Sequence, residues 1–232
     1  MVETRTNEYG QPIGPAVDWS PREPIGPVEL TGRWSRVEPL AGHHLDQLHD
    51  ALVLRSPESI WTYLPAGPFA DRAGLNACLR QLHDDPGIVP HAICLASGRP
   101  VGLASYLRVD HRNGSAEVGW IAYAAELQRT TAATEAMYLM AQHVFDDLGY
   151  RRYEWKCDAL NAPSRRAAAR LGFSYEGTFR NALVYKGRNR DTAWFSITDA
   201  EWPAIRSAFE AWLDPANHDD DGAQREPLRA RR

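Results

Sequence analysis

AEVGWIAYAAELQRTTAATEAMYLMAQHVFDDLGYRRYEWKCDALNAPSRRAAARLGF, residues 116–173, decides the fold. AEVGWIAYAA (116–125) reads as a strand, and ELQRTTAAT (126–134) turns it into a helix. Along that helix Ala133, Ala136, Met137, Met140, Ala141, Val144, Phe145 and Leu148 recur at i, i+3, i+4, i+7 and i+8. This is the period of a helix that lays one face on a sheet, and Gly149 is placed to end it. RYEWKCDAL (152–160) reads as a second strand; Asn161, a good N-cap, then opens a second helix that tolerates Pro163 in its first turn and stops at Gly172. The order strand, helix, strand makes the strands at Glu117 and Tyr153 parallel across one helical crossover.

The first turn carries chemistry. Gln128, Thr131 and Ala133 are spaced as Q-x-x-T-x-A between an apolar strand and a helix N-terminus, where unpaired backbone N–H groups can hold a phosphate. Asn161 and Ser164 follow as N-x-x-S, then RLGF (170–173) and EGTFR (176–180). In order and spacing these motifs resemble the GNAT superfamily of acyl-CoA transferases, whose loop reads Q/R-x-x-G-x-G/A. Among its branches the RimJ/RimL type is the nearest in look; it acetylates protein N-termini and, in divergent members, small amines. The resemblance covers about residues 30–213. Thr131 stands where glycine is usual. Its side chain crowds the approach of backbone to phosphate, while its hydroxyl offers a donor.

The resemblance implies an α/β GNAT fold, with a mixed, mostly antiparallel sheet splayed at its two parallel strands and flanked by helices. It implies acetyl-CoA as co-substrate, no metal, and direct transfer to a primary amine in a ternary complex. Gln128, Arg129, Thr130, Thr131, Ala132, Ala133 and Thr134 would cradle the pyrophosphate, with Arg165 and Arg170 reaching further phosphate oxygens. Trp120, Ile121 and Ala122 would pair with the pantetheine arm through their backbone, and Asn161 would orient the cofactor. Ser164 matches the residue that hydrogen-bonds the CoA sulfur and protonates the thiolate. Glu117, eleven residues before Gln128, matches the strand glutamate that is the base in some GNAT histone acetyltransferases. Asp191, Glu176 or a relaying water compete for that role. On the acceptor side stand Trp61 and Tyr63, in an aromatic loop (56–71), with Tyr185 and Asp191. The acceptor stays open between a protein N-terminus and a small amine.

Around this centre the chain divides into an N-terminal arm (1–29), a domain (30–213) and a polar tail (214–232). Pro12, Pro15, Pro21, Pro24 and Pro27 keep the arm irregular. It reads as a loosely attached extended segment, or as one pinned through Tyr9, Ile13 and Trp19 to the body or a second subunit. Residues 30–40 form a strand ending at Pro39, 43–54 a helix, 71–85 another, and 90–96 and 100–109 two strands joined at Ser97-Gly98-Arg99. The last hairpin, 173–187 and 190–198, closes through Lys186-Gly187-Arg188-Asn189, and Thr198 with Glu201 can form a capping box for a final helix.

Composition sets the limits. With 232 residues and 44% apolar content the chain can bury a full core, and a net charge of −4 at pI near 6.1 gives no general attraction to nucleic acid. Three cysteines without CxxC spacing suggest neither a disulfide framework nor zinc, and the histidines of 43–49 do not share an i, i+4 face. No apolar run of membrane length and no secretory head occur, which points to the cytoplasm. The alternative to an enzyme is a non-catalytic acyl-CoA-binding or interaction module: Thr131 favours the module, the Asn161/Ser164 pair the enzyme. The aromatic final hairpin and the arm are surfaces that a homodimer could use.

Overall fold

The computed structural model describes residues 4–219, 223–228 and 230. In chain order the elements are β1 (Arg5–Thr6), β2 (Pro12–Ile13), β3 (Leu30–Thr31), β4 (Ser35–Pro39), α1 (Leu45–His49) and α2 (Arg72–Asp84). These are followed by β5 (Ile88–Leu95), β6 (Pro100–Asp110), β7 (Ser115–Tyr123), α3 (Thr131–Gln142) and β8 (Arg152–Asp158). The chain continues as α4 (Ala162–Arg170), β9 (Ser174–Tyr185), β10 (Arg188–Thr198) and α5 (Trp202–Leu213). Eight strands form one sheet in the order β3-β4-β5-β6-β7-β8-β10-β9, and β1 and β2 make a small separate hairpin.

Every neighbour in the large sheet is antiparallel except β7 and β8. That pair is parallel because α3 carries the chain back across the sheet before β8 begins. The final hairpin then places its second strand, β10, beside β8 and leaves β9 at the edge. Its connection is tighter than the four residues read from sequence: Arg188 and Asn189 already belong to β10, and only Lys186 and Gly187 turn, both at positive φ (48° and 68°). This is the backbone of a two-residue hairpin turn whose twist matches the flanking strands.

The expected helix over 43–54 is one continuous coil of three pitches. A 3-10 turn at Gly42–His44 enters α1, and a π turn at Asp50–Leu54 ends it, with the Arg55 amide donating to the Asp50 carbonyl five residues back. The strand expected over 30–40 is broken after β3. The reason lies in α3: the Glu135 carboxylate, 4% exposed, accepts from the amides of Arg33, Trp34 and Ser35 and from the Ser35 hydroxyl. A side chain on Gly32 would collide with that carboxylate, its Cβ falling 2.3 Å from Glu135 Cδ. The bend therefore seats β4 on α3, whose apolar stripe packs against β3, β4, β5 and α5. Thr198 and Glu201 meet as a capping box predicts, the carboxylate accepting from the Thr198 amide at 2.9 Å, and α5 starts at Trp202 with Pro203 in its first turn.

Two expectations change at the ends of the chain. The arm is fixed to the body over residues 19–29. Trp19 Nε1 donates to the Arg112 carbonyl (2.7 Å), the Arg22 amide to the His111 carbonyl (2.9 Å) and the Tyr150 hydroxyl to the Glu23 carbonyl (2.9 Å), while Ile25 is buried. Tyr9 and Ile13 stay exposed. The tail is also folded back where it is described: Trp212 Nε1 donates to Gln224 Oε1 (2.8 Å), and Leu228 and Ala230 are buried. Among the described residues no helix is long and apolar enough to cross a membrane.

Gly114 joins the arm to the sheet. It sits at φ +66°, and a Cβ there would lie 2.3 Å from the Trp19 ring. Gly114→Ala is expected to cost about 2 kcal/mol, from the left-handed backbone and the displaced indole together. A thermal melt reads the loss, and trypsin cleavage at Arg22 should quicken with it. The same substitution in a Trp19→Ala background should cost distinctly less; equal losses would show that the indole is not what Gly114 accommodates.

Candidate active site

The site begins where the two parallel strands part. β7 and β8 pair from Ser115↔Arg152 to Val118↔Trp155 and no further. The cause is a bulge: β7 passes from Gly119↔Ser105 to Ala122↔Leu103, three steps against two on β6, and Trp120 takes up the extra residue at φ +51°. Beyond Val118 the facing edges of β7 and β8 therefore make no ladder with each other. The gap opens into a cleft of ≈ 2500 Å³ that reaches Trp120 and Ile121, the turn Gln128–Thr134 and the start of α4. An extended chain laid in it would meet free backbone groups on β7.

At one end lies the turn into α3. Gln128 Nε2 donates to the Tyr123 carbonyl (3.1 Å). Thr130 caps the helix: its Oγ1 accepts from the Ala133 amide (3.1 Å) and donates to the Leu127 carbonyl (2.7 Å). The amides of Arg129, Thr131 and Ala132 are left without a partner among the described residues, as an anion site at a helix N-terminus requires. The residue at positive φ is Arg129 (64°), and Thr131 is the first helical residue. Glycine is thus not needed at position 131 for the backbone to make this turn.

Arg170 and Arg166, one helical turn apart on α4, line the cleft; Arg170 donates to Thr134 Oγ1 (3.1 Å) and lies over the Trp212 ring. Arg165 is a correction. On the neighbouring face of α4 it turns to the Ala159 carbonyl (3.3 Å) and the Tyr175 ring, away from the cleft. The tail, read as merely polar, supplies His218 instead. Its ring stands between Trp34 (5.4 Å) and Trp212 (5.1 Å), with the Arg33 guanidinium over Trp34 and with a buried Nε2 that has no partner among the described residues. Nothing in the local sequence of the tail marks this, because the cage is assembled from the bend before β4, α5 and the tail.

Ser164 lines the cleft at the start of α4. Asn161 Oδ1 caps α4 by accepting the Ser164 amide (3.1 Å), and Trp155 Nε1 donates to Ser164 Oγ (2.9 Å). Accepting from Trp155 leaves the hydroxyl's own proton free to be donated. Burial raises the Cys157 pKa and the Ser164 hydrogen bond only partly opposes it, so the thiol stays protonated and is a poor nucleophile.

Of the carboxylates, Glu117 lines the cleft where the strands part. It is 7% exposed and held by Lys156 Nζ (2.9 Å) and Arg108 Nε (3.4 Å). Lys156 also bridges to Glu154 (2.9 Å) and covers the Trp194 ring (3.6 Å). Glu176 is clasped by both terminal nitrogens of Arg152, which with the Ser196 hydroxyl holds its pKa at about 2; it is too weak a base to take a proton from an amine near neutrality. Asp191 is off the cleft wall: its carboxylate accepts from the Asn181 amide (2.8 Å) and Asn189 Nδ2 (3.0 Å), pinning the β9–β10 hairpin.

Tyr185 also stands behind the wall. Its hydroxyl donates to Asp158 Oδ2 (2.7 Å), and burial first, then that carboxylate, push its pKa up to about 12. Asp158 itself, which sequence reasoning missed, does line the cleft. Trp61 is core: 2% exposed, edge-on to Phe69 at 4.9 Å, it offers only its carbonyl, to Lys186 Nζ (2.7 Å). Tyr63 lines the cleft and donates its hydroxyl to the Leu160 carbonyl (3.2 Å). Among the described residues one group, Glu38, His43 and His44, has metal-ligand spacing, but both His44 nitrogens are engaged, with the Ala41 amide (3.1 Å) and with Glu38 (3.2 Å).

A mixed sheet splayed at one parallel pair, with an amide-rich helix turn beside the split, defines an acyl-CoA transferase fold. Residues 36–174 match the model of the Acetyltransferase (GNAT) domain, and the chain belongs to that family. It is similar to a GCN5-related N-acetyltransferase from Brucella melitensis, with 44% identity and a TM-score of 0.88 over 91% of this chain and 96% of that one. Over 124 residues it is 32% identical to YdaF of Bacillus subtilis (strain 168), provisionally named a ribosomal N-acetyltransferase, spanning 53% of this chain and 66% of YdaF. That relative agrees with the RimJ/RimL resemblance. It is also 27% identical to the uncharacterised N-acetyltransferase p20 of Bacillus licheniformis, over 67% of this chain and 91% of p20.

Proposed function

We propose that this chain moves an acetyl group from acetyl-CoA to a primary amine by direct attack within a ternary complex. The observation that carries the reading is the junction of three features in one cleft: unpartnered amides at the α3 N-terminus, open backbone along β7, and an oriented Ser164 hydroxyl. Arg129, Thr131 and Ala132 would hold the pyrophosphate through their N–H groups, with Arg166 and Arg170 adding charge. Trp34, His218 and Trp212, flanked by Arg33 and Arg170, would take the nucleotide end, where a flat base and a phosphate both find partners.

The thioester presents the acyl carbon to the amine. Residues 120–122 would fix the pantetheine arm, so the attack is set up by position. As the N–C bond forms and the C–S bond breaks, Glu117 would receive the acceptor's proton, directly or through water. Ser164 would give its proton to the leaving thiolate and recover one from solvent. The acceptor is a protein N-terminus or a small-molecule amine.

Calorimetric titration of the chain with acetyl-CoA, and with desulfo-CoA as a control, tests the reading. Micromolar binding is expected for the wild type. Thr131→Glu, which sets a carboxylate against the phosphates, should weaken it by about 30-fold or more. A folded wild type that binds neither ligand would overturn the proposal.

A further inference from the structure

The wall of the cleft away from the phosphate turn is built on β10. Arg190, Thr192 and Trp194 fall on one face, as the two-residue period of a strand requires, and all three line the cleft. Around them the surface is apolar: Phe179, 57% exposed, packs on Trp194 at 4.8 Å, and Leu183, 52% exposed, and Leu64 continue it. Three cations stand on this wall. Arg108 and Lys156 are occupied by Glu117 and Glu154 and both lie over the Trp194 ring.

Arg190 differs from both. Half-buried, it donates only from Nε, to Thr192 Oγ1 (3.2 Å), and its guanidinium lies 6.0 Å from the centre of the Tyr185 ring. Among the described residues it has no carboxylate within 4.0 Å, and neither terminal nitrogen makes a hydrogen bond to protein. Asp158, the nearby acid, is already taken by the Leu160 amide (2.8 Å) and the Tyr185 hydroxyl. The free edge of a guanidinium is the planar two-donor fork that fits a carboxylate. β10 pairs with β8 at Thr192↔Asp158, and the Ala159 amide donates to the Asp191 carbonyl (2.8 Å), so Arg190 stands beside the end of β8 that leads into Asn161 and Ser164. The anion it would meet therefore lies on the side of the cleft where Ser164 stands.

From this we infer that the acceptor is an amine carrying a carboxylate next to an apolar body, the chemistry of an apolar α-amino acid, and that Arg190 is the specificity residue that reads the carboxylate. The inference rests on the proposed acetyl transfer and narrows its acceptor. A polycation such as spermidine would meet Arg190 as a like charge, and an uncharged amine would leave the fork empty.

The test is a comparison of kcat/KM at saturating acetyl-CoA for L-phenylalanine, L-phenylalaninamide, phenylethylamine and spermidine. Wild type should favour phenylalanine over phenylethylamine by about 10- to 100-fold, the range of a charge-assisted hydrogen-bonded pair. In Arg190→Gln that ratio should fall towards one. Arg190→Lys, which keeps the charge and loses the fork, should lie between.

A wild-type ratio near one, a preference for spermidine, or a ratio unmoved by Arg190→Gln would overturn the inference. So would a loss in Arg190→Gln confined to the KM for acetyl-CoA, which would assign the residue to a cofactor phosphate. Acetyl-CoA binding without turnover of phenylalanine overturns this inference and leaves the acetyl-transfer reading standing. No binding of acetyl-CoA overturns both.

Discussion

Ser164→Ala is expected to lower kcat by about 10²–10³-fold, the scale of a positioned proton donor, while the Kd for acetyl-CoA moves by no more than about 3-fold. The separation follows from how Ser164 is held. Its backbone amide caps α4 through Asn161 Oδ1, and alanine keeps that amide, so the helix start should survive. What is lost is a hydroxyl that accepts from Trp155 Nε1 and, in the proposed reaction, gives its own proton to the leaving thiolate. The indole N–H then has no acceptor, at a cost of about 1–2 kcal/mol in stability. Asn161→Ala should do the reverse, loosening the helix start and raising the KM for acetyl-CoA more than it lowers kcat. Steady-state rates beside calorimetric binding check both. A Ser164→Ala protein with an unchanged kcat would remove the serine from the proton path and leave water in its place.

The parts of this site that could be read from sequence are those made by one continuous stretch. The turn Gln128–Thr134 and the N-cap pair Asn161/Ser164 are local: residue type and spacing alone place an amide-rich helix start next to a strand. The parallel β7–β8 pair was legible for the same reason, since strand, helix and strand follow each other without interruption. What escaped are groups whose role depends on distant partners. Glu176 reads as one more candidate base until Arg152, 24 residues earlier, is seen to clasp it. Trp61 reads as a loop aromatic until Phe69 and the interior close over it. Arg165 and Arg166 are neighbours in sequence, and only the rotation of α4 against β9 decides which of them faces the cleft. His218 could not be placed at all, because its two aromatic neighbours lie in the bend before β4 and on α5.

Glu135 is the extreme case of that non-locality, and its loss should be the most damaging to stability. In the sequence it is a charged residue in an otherwise apolar helix, with nothing to set it apart from a solvated one. In the fold its carboxylate is buried and accepts from three consecutive amides about a hundred positions away, Arg33 (2.8 Å), Trp34 (2.8 Å) and Ser35 (2.7 Å), and from Ser35 Oγ (2.8 Å). Glu135→Ala removes the acceptor and leaves those donors facing a void, which should cost about 3–5 kcal/mol. In a domain of this size that corresponds to a fall in Tm of roughly 10 °C.

Glu135→Gln keeps one acceptor oxygen but turns an NH2 group towards a donor, so it should lose about half as much. The damage should reach the site as well: the bend that Glu135 holds carries Arg33 and Trp34 into the cleft, on the helix whose first turn offers the phosphate amides. A rise in the KM for acetyl-CoA should therefore accompany the fall in Tm, in the order alanine, glutamine, wild type. Ser35→Ala in the Glu135→Ala background should add little, because its partner is already gone. A Tm within about 2 °C of wild type for Glu135→Ala would mean that water replaces the carboxylate and that the bend is held by packing alone.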